Sequence, residues 1–223
     1  PENPVIGVRS FGERAEDVAK HGVAFIEGHH DAGVMTSAKH FPGHGDTTID
    51  SHLNLPTISH SMERLEQVEL PPFIEAIKAG TDTVMTSHIY FSTLDTEKEI
   101  PASLSKAVTT GLLREKLGFH GVIVTDCLEM NAVVSTAGTV EGALTALKAG
   151  ADLLLISHTY DLQKQALDRI EAAVNEGELS EEWIDRAVER VWELKKKYLS
   201  WEAAPAQKEV PLFVGGQPHQ ELA

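Results

Sequence analysis

Four short apolar runs punctuate the chain, and each is reached through a longer stretch with helical spacing. The runs are VMTSAKHF (34–41), TVMTSHI (83–89), GVIVTD (121–126) and DLLLIS (152–157). The stretches before them cover roughly 13–31, 62–79, 105–117 and 139–149, and two more follow at about 161–176 and 180–199. Runs that are apolar on both sides, with a helix between each pair, predict parallel βα units. Gly80, Gly118 and Gly150 stand just past the expected helix ends, where a left-handed cap is common. Ser180 followed by Glu181 and Glu182 reads as a helix start.

Two architectures use such units: an open doubly wound sheet and a (β/α)8 barrel. No Gly-x-Gly-x-x-Gly follows any run, which weakens a dinucleotide-binding sheet. The runs end on polar residues instead: Lys39 and His40, then His88, then Asp126, then His158. That end of the strands carries the active site in barrels. The expected fold is therefore α/β, a TIM barrel. Only four of its eight strands are visible, so residues 1–199 are expected to supply about the C-terminal half of the barrel. EAAPAQKEVP (202–211) reads as a linker, and 200–223 as that linker plus the truncated start of a second α/β domain.

The composition fits one globular core, with 42% hydrophobic and 24% charged residues in 223. Lys and Arg number 19 against 34 Asp and Glu, a net charge of -15. That balance argues against nucleic acid and anionic membranes as partners. No apolar run is long enough for a membrane span. Cys127 is the single cysteine, so no intrachain disulfide forms, and a cytoplasmic location is the expectation. The chain opens on Pro-Glu-Asn-Pro without Met, which leaves a secreted origin open.

KHFPGHGDTTIDSH (39–52) packs three histidines, two aspartates and a lysine into one stretch. A solvated loop is the plain reading. A metal site is a second, with His40, His44 and His52 and either Asp46 or Asp50 as ligands, although their spacing matches no common signature. Acid–base chemistry is a third. Asp50 and His52 are two apart and share a face of an extended loop, where a carboxylate orients an imidazole and favours its protonated form. Asp126 closes an apolar strand. It reads as a helix cap, a nucleophile or a metal ligand. Cys127 reads as a packing residue, because an acidic neighbour disfavours the thiolate that a nucleophile needs. Arg9, in NPVIGVRSFGE (3–13), reads as a surface ion pair or as a fork that grips a polar ligand.

Taken together and in order, NPVIGVRSFGE, KHFPGHGDTTIDSH and GVIVTDCLEM resemble glycoside hydrolase family 3, in its β-N-acetylglucosaminidase (NagZ-type) branch, over residues 1–199. The resemblance implies that Asp126 is the nucleophile and that His52, paired with Asp50, is the acid/base. It implies that Arg9, Lys39, His40 and His44 contact the sugar, and His88 joins them as a strand-end candidate. Relatives commonly have Asp-Asp where this chain has Asp126-Cys127. An upstream sugar-gripping aspartate of the family has no counterpart here, in keeping with a missing N-terminal half. The implied activity is retaining hydrolysis of a terminal GlcNAc from cell-wall (GlcNAc–MurNAc) fragments or chitin oligomers. No cofactor is implied, and the partner is a β-N-acetylglucosaminide oligosaccharide. A histidine acid/base presents no negative charge, so phosphate could replace water and make a phosphorylase. Two other readings stay open: a metal-dependent hydrolase using His40, His44, His52 and Asp126, and a non-catalytic sugar-binding module.

Overall fold

The computed structural model describes residues 3, 5–47 and 55–200. Strand β1 (Ser37–Phe41) is followed by the two-residue β2 (Thr57–Ile58), then β3 (Thr83–Thr86), the two-residue β4 (Tyr90–Phe91), β5 (Val122–Cys127) and β6 (Leu153–Leu155). β1, β3, β5 and β6 form one parallel sheet in that order, while β2 and β4 pair with each other, also in parallel. Helix α1 (Ala15–Asp31) precedes β1. α2 (Met62–Arg64) runs through a widened turn into α3 (Pro71–Lys78), where Leu70 N donates to Leu65 O. Pro71 sits at the first position of α3, where its missing N–H costs nothing. A widely wound segment, Ala107–Lys116, links β3 to β5. Two helices, α4 (Asn131–Val134) and α5 (Thr139–Ala149), link β5 to β6, and α6 (Tyr160–Asn175) and α7 (Glu181–Tyr198) follow.

The four strand runs and the main helices lie where the apolar pattern expects them. The strand order equals the chain order and never reverses. A doubly wound sheet reverses at its switch point. The winding is thus of (β/α)8 type, which decides between the two architectures. Among the described residues, no helix is long and apolar enough to cross a membrane. The expected linker and second domain, 200–223, lie outside the described residues apart from Ser200.

Burial explains the runs. Val122, Ile123, Val124 and Thr125 of β5 are all buried, so this strand is covered on both faces. Ile123 belongs to a cluster with Phe41, Phe73, Val84, Leu113 and Phe119. Each such side chain contributes about 1.5–3 kcal/mol by leaving water. A second cluster forms where Ala143 and Ala146 of α5 meet Leu128, Val133 and Ala166. Gly150 ends α5 in the left-handed region at φ 109°, and a Cβ there would lie 2.5 Å from Thr110 Oγ1. Only glycine fits both requirements.

Two buried carboxylates tie the N-terminal ends of the strands to α7. Asp82, just before β3, accepts from Thr36 N at 2.9 Å, from Lys197 Nζ at 2.8 Å and from the Tyr198 hydroxyl, and it meets His30 Nε2 at 2.8 Å. Burial alone would raise the Asp82 carboxyl, but these hydrogen bonds outweigh it and hold the pKa at about 2. Asp152, just before β6, accepts from Ile123 N at 2.8 Å, from Arg190 Nη1 at 2.9 Å and from Arg114 Nη2. Removing one partner of a buried pair leaves an uncompensated charge. Asp152→Ala should therefore cost about 3–5 kcal/mol. Equilibrium urea unfolding checks this, and a loss under about 1 kcal/mol would show that α7 does not depend on the pair.

Candidate active site

The C-terminal ends of β1 and β5 bring His40 and Asp126 together. Asp126 Oδ1 accepts from the Cys127 amide at 2.7 Å, which fixes the carboxylate against its own strand end. Oδ2 lies 3.6 Å from His40 Nε2, and the Asp126 side chain is 25% exposed. One oxygen is thus held by an amide, and the other lies beside the His40 ring.

His40 is buried beside it. Burial is the main cause that pulls its pKa down to about 4; Lys39, His44 and Arg9 push the same way, while Asp126 opposes them. His40 is therefore neutral at neutral pH and cannot serve there as a cationic acid. Its ring meets His44 edge-on at 5.5 Å between centroids. His44 Nδ1 pairs with Thr47 Oγ1 at 2.9 Å. The Lys39–His40 and Phe41–Pro42 peptide bonds are cis.

Asn3 links the arginine turn to this loop. Its Nδ2 donates to His44 O at 2.7 Å and to Gly45 O at 3.0 Å, while Oδ1 accepts from Val5 N at 2.8 Å and Ile6 N at 2.9 Å. Arg9 then lies on the 3-10 turn Gly7–Arg9 and donates to Val5 O at 2.7 Å. Sequence reasoning gave Asn3 no role, although an Asn side chain that accepts from the amides two and three residues on is a known local turn signal.

Two cavities flank Asp126. The smaller, about 160 Å³, is lined by Arg9, Lys39, His40 and His44 together with Asp126. The larger, about 300 Å³, is lined by Asp126, Cys127, Glu129, Asn131 and His158. The structure therefore brings together five sequence-picked residues: Arg9, Lys39, His40, His44 and Asp126. His88 is only 1% exposed and sits behind them. Its Nε2 donates to Cys127 O at 2.9 Å, and its Nδ1 pairs with Ser103 Oγ at 2.7 Å. It supports the backbone next to Asp126. Asp50 and His52 lie outside the described residues. Cys127, read as a packing residue, is half-buried and lines the larger cavity.

Among the described residues, ligand atoms gather within 4.8 Å at Cys127, Glu129 and His158, and at Asp46, His60 and Glu69. His40, His44 and Asp126, named together for a metal from sequence, are not such a group among the described residues.

A model of the glycosyl hydrolase family 3 N-terminal domain matches residues 1–194. The chain belongs to glycosyl hydrolase family 3. It is 37% identical over 213 residues to a protein named β-hexosaminidase A from Pseudoalteromonas piscicida, covering 88% of this chain and 36% of that one. Among solved structures, a family 3 β-N-acetylglucosaminidase from Paenibacillus sp. str. FPU-7 is similar at 54% identity and TM-score 0.89, over 92% of this chain and 39% of that one. A β-glucoside phosphorylase, BglX, matches at 26% identity and TM-score 0.89, over 99% of this chain and 41% of that one. The chain spans 36–45% of the length of the first two curated relatives it matches.

The depressed His40 gives a stability prediction. Its folded pKa, about 4, lies below the 6.5 of the free group. The unfolded chain therefore binds a proton first, and stability is lost as pH falls from 6.5 toward 4. Thermal midpoints measured across that window should fall less steeply in His40→Gln than in the wild type. Parallel curves would mean that His40 is not held neutral.

Proposed function

We propose that the protein carrying this chain is a retaining exo-β-N-acetylglucosaminidase, with Asp126 as nucleophile. The observation that carries the reading is the Asp126 carboxylate, with one oxygen fixed by an amide and the other 3.6 Å from His40 Nε2, on a residue that lines a cavity with Arg9 and Lys39. The family relationship and the names of the relatives point the same way.

In the first step Asp126 attacks the anomeric carbon, forming a glycosyl ester, while the leaving oxygen takes a proton from His52. In the second step neutral His52 takes a proton from water, which displaces Asp126 and restores the β configuration. Asp50 orients His52. Histidine titrates near neutrality, so it supplies the proton without a large burial shift. His40, held neutral, is not a competing acid and acts as a hydrogen-bonding group for the sugar with Arg9, Lys39 and His44. His88 acts mainly by holding the Cys127 carbonyl, with a direct substrate contact as its second proposed role. Cell-wall GlcNAc–MurNAc fragments and chitin oligomers are the proposed substrates.

The barrel is completed by chain beyond this sheet. β1 and β6 are the two edges of the described four-stranded sheet, where the remaining strands of a (β/α)8 barrel would pair. The likeness to BglX favours a second reading, in which phosphate replaces water in the second step.

The full-length protein should release 4-nitrophenol from its β-N-acetylglucosaminide, and Asp126→Ala should lower kcat/KM by about 10⁴-fold or more. A chelator should not lower the rate. A sugar 1-phosphate formed in phosphate buffer would establish the phosphorylase. Activity lost to the chelator would contradict the double displacement through Asp126.

A further inference from the structure

The wall of the larger cavity holds three metal-ligand types outside the proposed catalytic set. Cys127 closes β5, Glu129 follows two residues later, and His158 lies three residues past the end of the neighbouring β6. Parallel pairing of the two strands brings them together, so that Sγ, a carboxylate oxygen and a ring nitrogen lie within 4.8 Å of one another. Glu129 is held in place: Oε2 accepts from His158 N at 2.7 Å and Oε1 from Thr159 N at 3.0 Å. The Cys127 thiol points at Glu129 Oε2 across 3.8 Å. A tetrahedral zinc ion with ordinary Zn–S and Zn–O bonds spans about 3.6 Å between those two atoms. The thiol-to-carboxylate spacing is thus close to what a zinc ion needs.

The Asp46, His60 and Glu69 cluster differs. Arg64 Nη2 lies 3.6 Å from Asp46 Oδ2 and 3.1 Å from Glu69 Oε1, so a fixed cation already serves those carboxylates. A metal ion there would meet its repulsion.

We propose that Cys127, Glu129 and His158 form a three-ligand site for Zn²⁺ or a similarly soft divalent ion. On binding, the Cys127 S–H bond breaks, its proton goes to solvent, and the thiolate forms the metal–sulfur bond. The neutral His158 ring gives a nitrogen lone pair, and Glu129 gives a carboxylate oxygen. The fourth position opens to the cavity that Asp126 also lines. An ion there would attract the Asp126 carboxylate and obstruct the sugar, so zinc should inhibit. The inhibition rests on Asp126 as nucleophile; the binding does not.

The test uses the full-length protein, stripped of metal, with Co²⁺ as the spectroscopic probe and Zn²⁺ as its competitor. One equivalent of Co²⁺ should give a near-ultraviolet thiolate-to-cobalt band that Zn²⁺ displaces. The band should vanish in Cys127→Ser, and His158→Ala should weaken binding by about tenfold or more. Circular dichroism confirms that both variants are folded. A band that is absent from the wild type, or that survives Cys127→Ser, overturns the site. Zn²⁺ should slow the wild type, while Cys127→Ser, compared with its own zinc-free rate, should be insensitive. Binding without inhibition would overturn the obstruction of Asp126 and leave the ion site standing.

Discussion

Every strand of a parallel sheet runs the same way, so its two ends are different chemical environments. Here the N-terminal end is closed by charge. Asp82 and Asp152 are saturated by amides and by cations, with Lys197 and Arg190 reaching them from α7. Helix α7 follows the last strand and bridges the N-terminal ends of β3 and β6. Both oxygens of each carboxylate meet donors, and their work is structural. The C-terminal end follows the opposite rule. Asp126 has one oxygen bound by its neighbour's amide, and the residue lines two cavities. The same residue type thus serves two ends, and the difference lies in how many donors each one meets.

That contrast orders the rest of the site. Burial keeps His40 neutral beside Asp126, so a hydrogen-bonding group stands there without adding positive charge. His88 and Ser103 brace the carbonyl of Cys127 from behind, and Asn3 ties the Arg9 turn to the loop carrying His44. Asp126 is a common wall of two cavities. The smaller carries the cationic and imidazole groups suited to sugar hydroxyls, and the larger carries the thiol, carboxylate and imidazole of the proposed ion site.

The sheet was legible because two-sided burial makes GVIVTD read as an apolar run, while in TVMTSHI burial alternates, with Val84 and Thr86 buried and Thr83 and Met85 only partly so. The strand-end polar residues followed from the same pattern. β2 and β4 were not legible: two residues each, they pair only because distant segments meet. The widened turns at 65–69 and 107–116 carry ordinary helical spacing and do not announce themselves. Asp82 and Asp152 look like routine turn residues in sequence, and only their partners from α7 show what they do. Arg9, Lys39, His40, His44 and Asp126 were picked out by the family resemblance and are brought together by the fold. His88 was picked out by its place at a strand end, yet that place faces inward. The environment of Cys127 depends on His158, 31 residues on and across a strand pairing, which no local pattern encodes.

The double displacement requires Asp126 to become covalently attached to the sugar. The direct test is to trap that ester on the full-length protein with a slow-turnover fluorinated N-acetylglucosaminyl fluoride, then digest it and map the label by mass spectrometry. A single glycosyl mass increment is expected on the peptide containing Asp126. A label on any other residue, or turnover of the reagent with no covalent adduct, would contradict it.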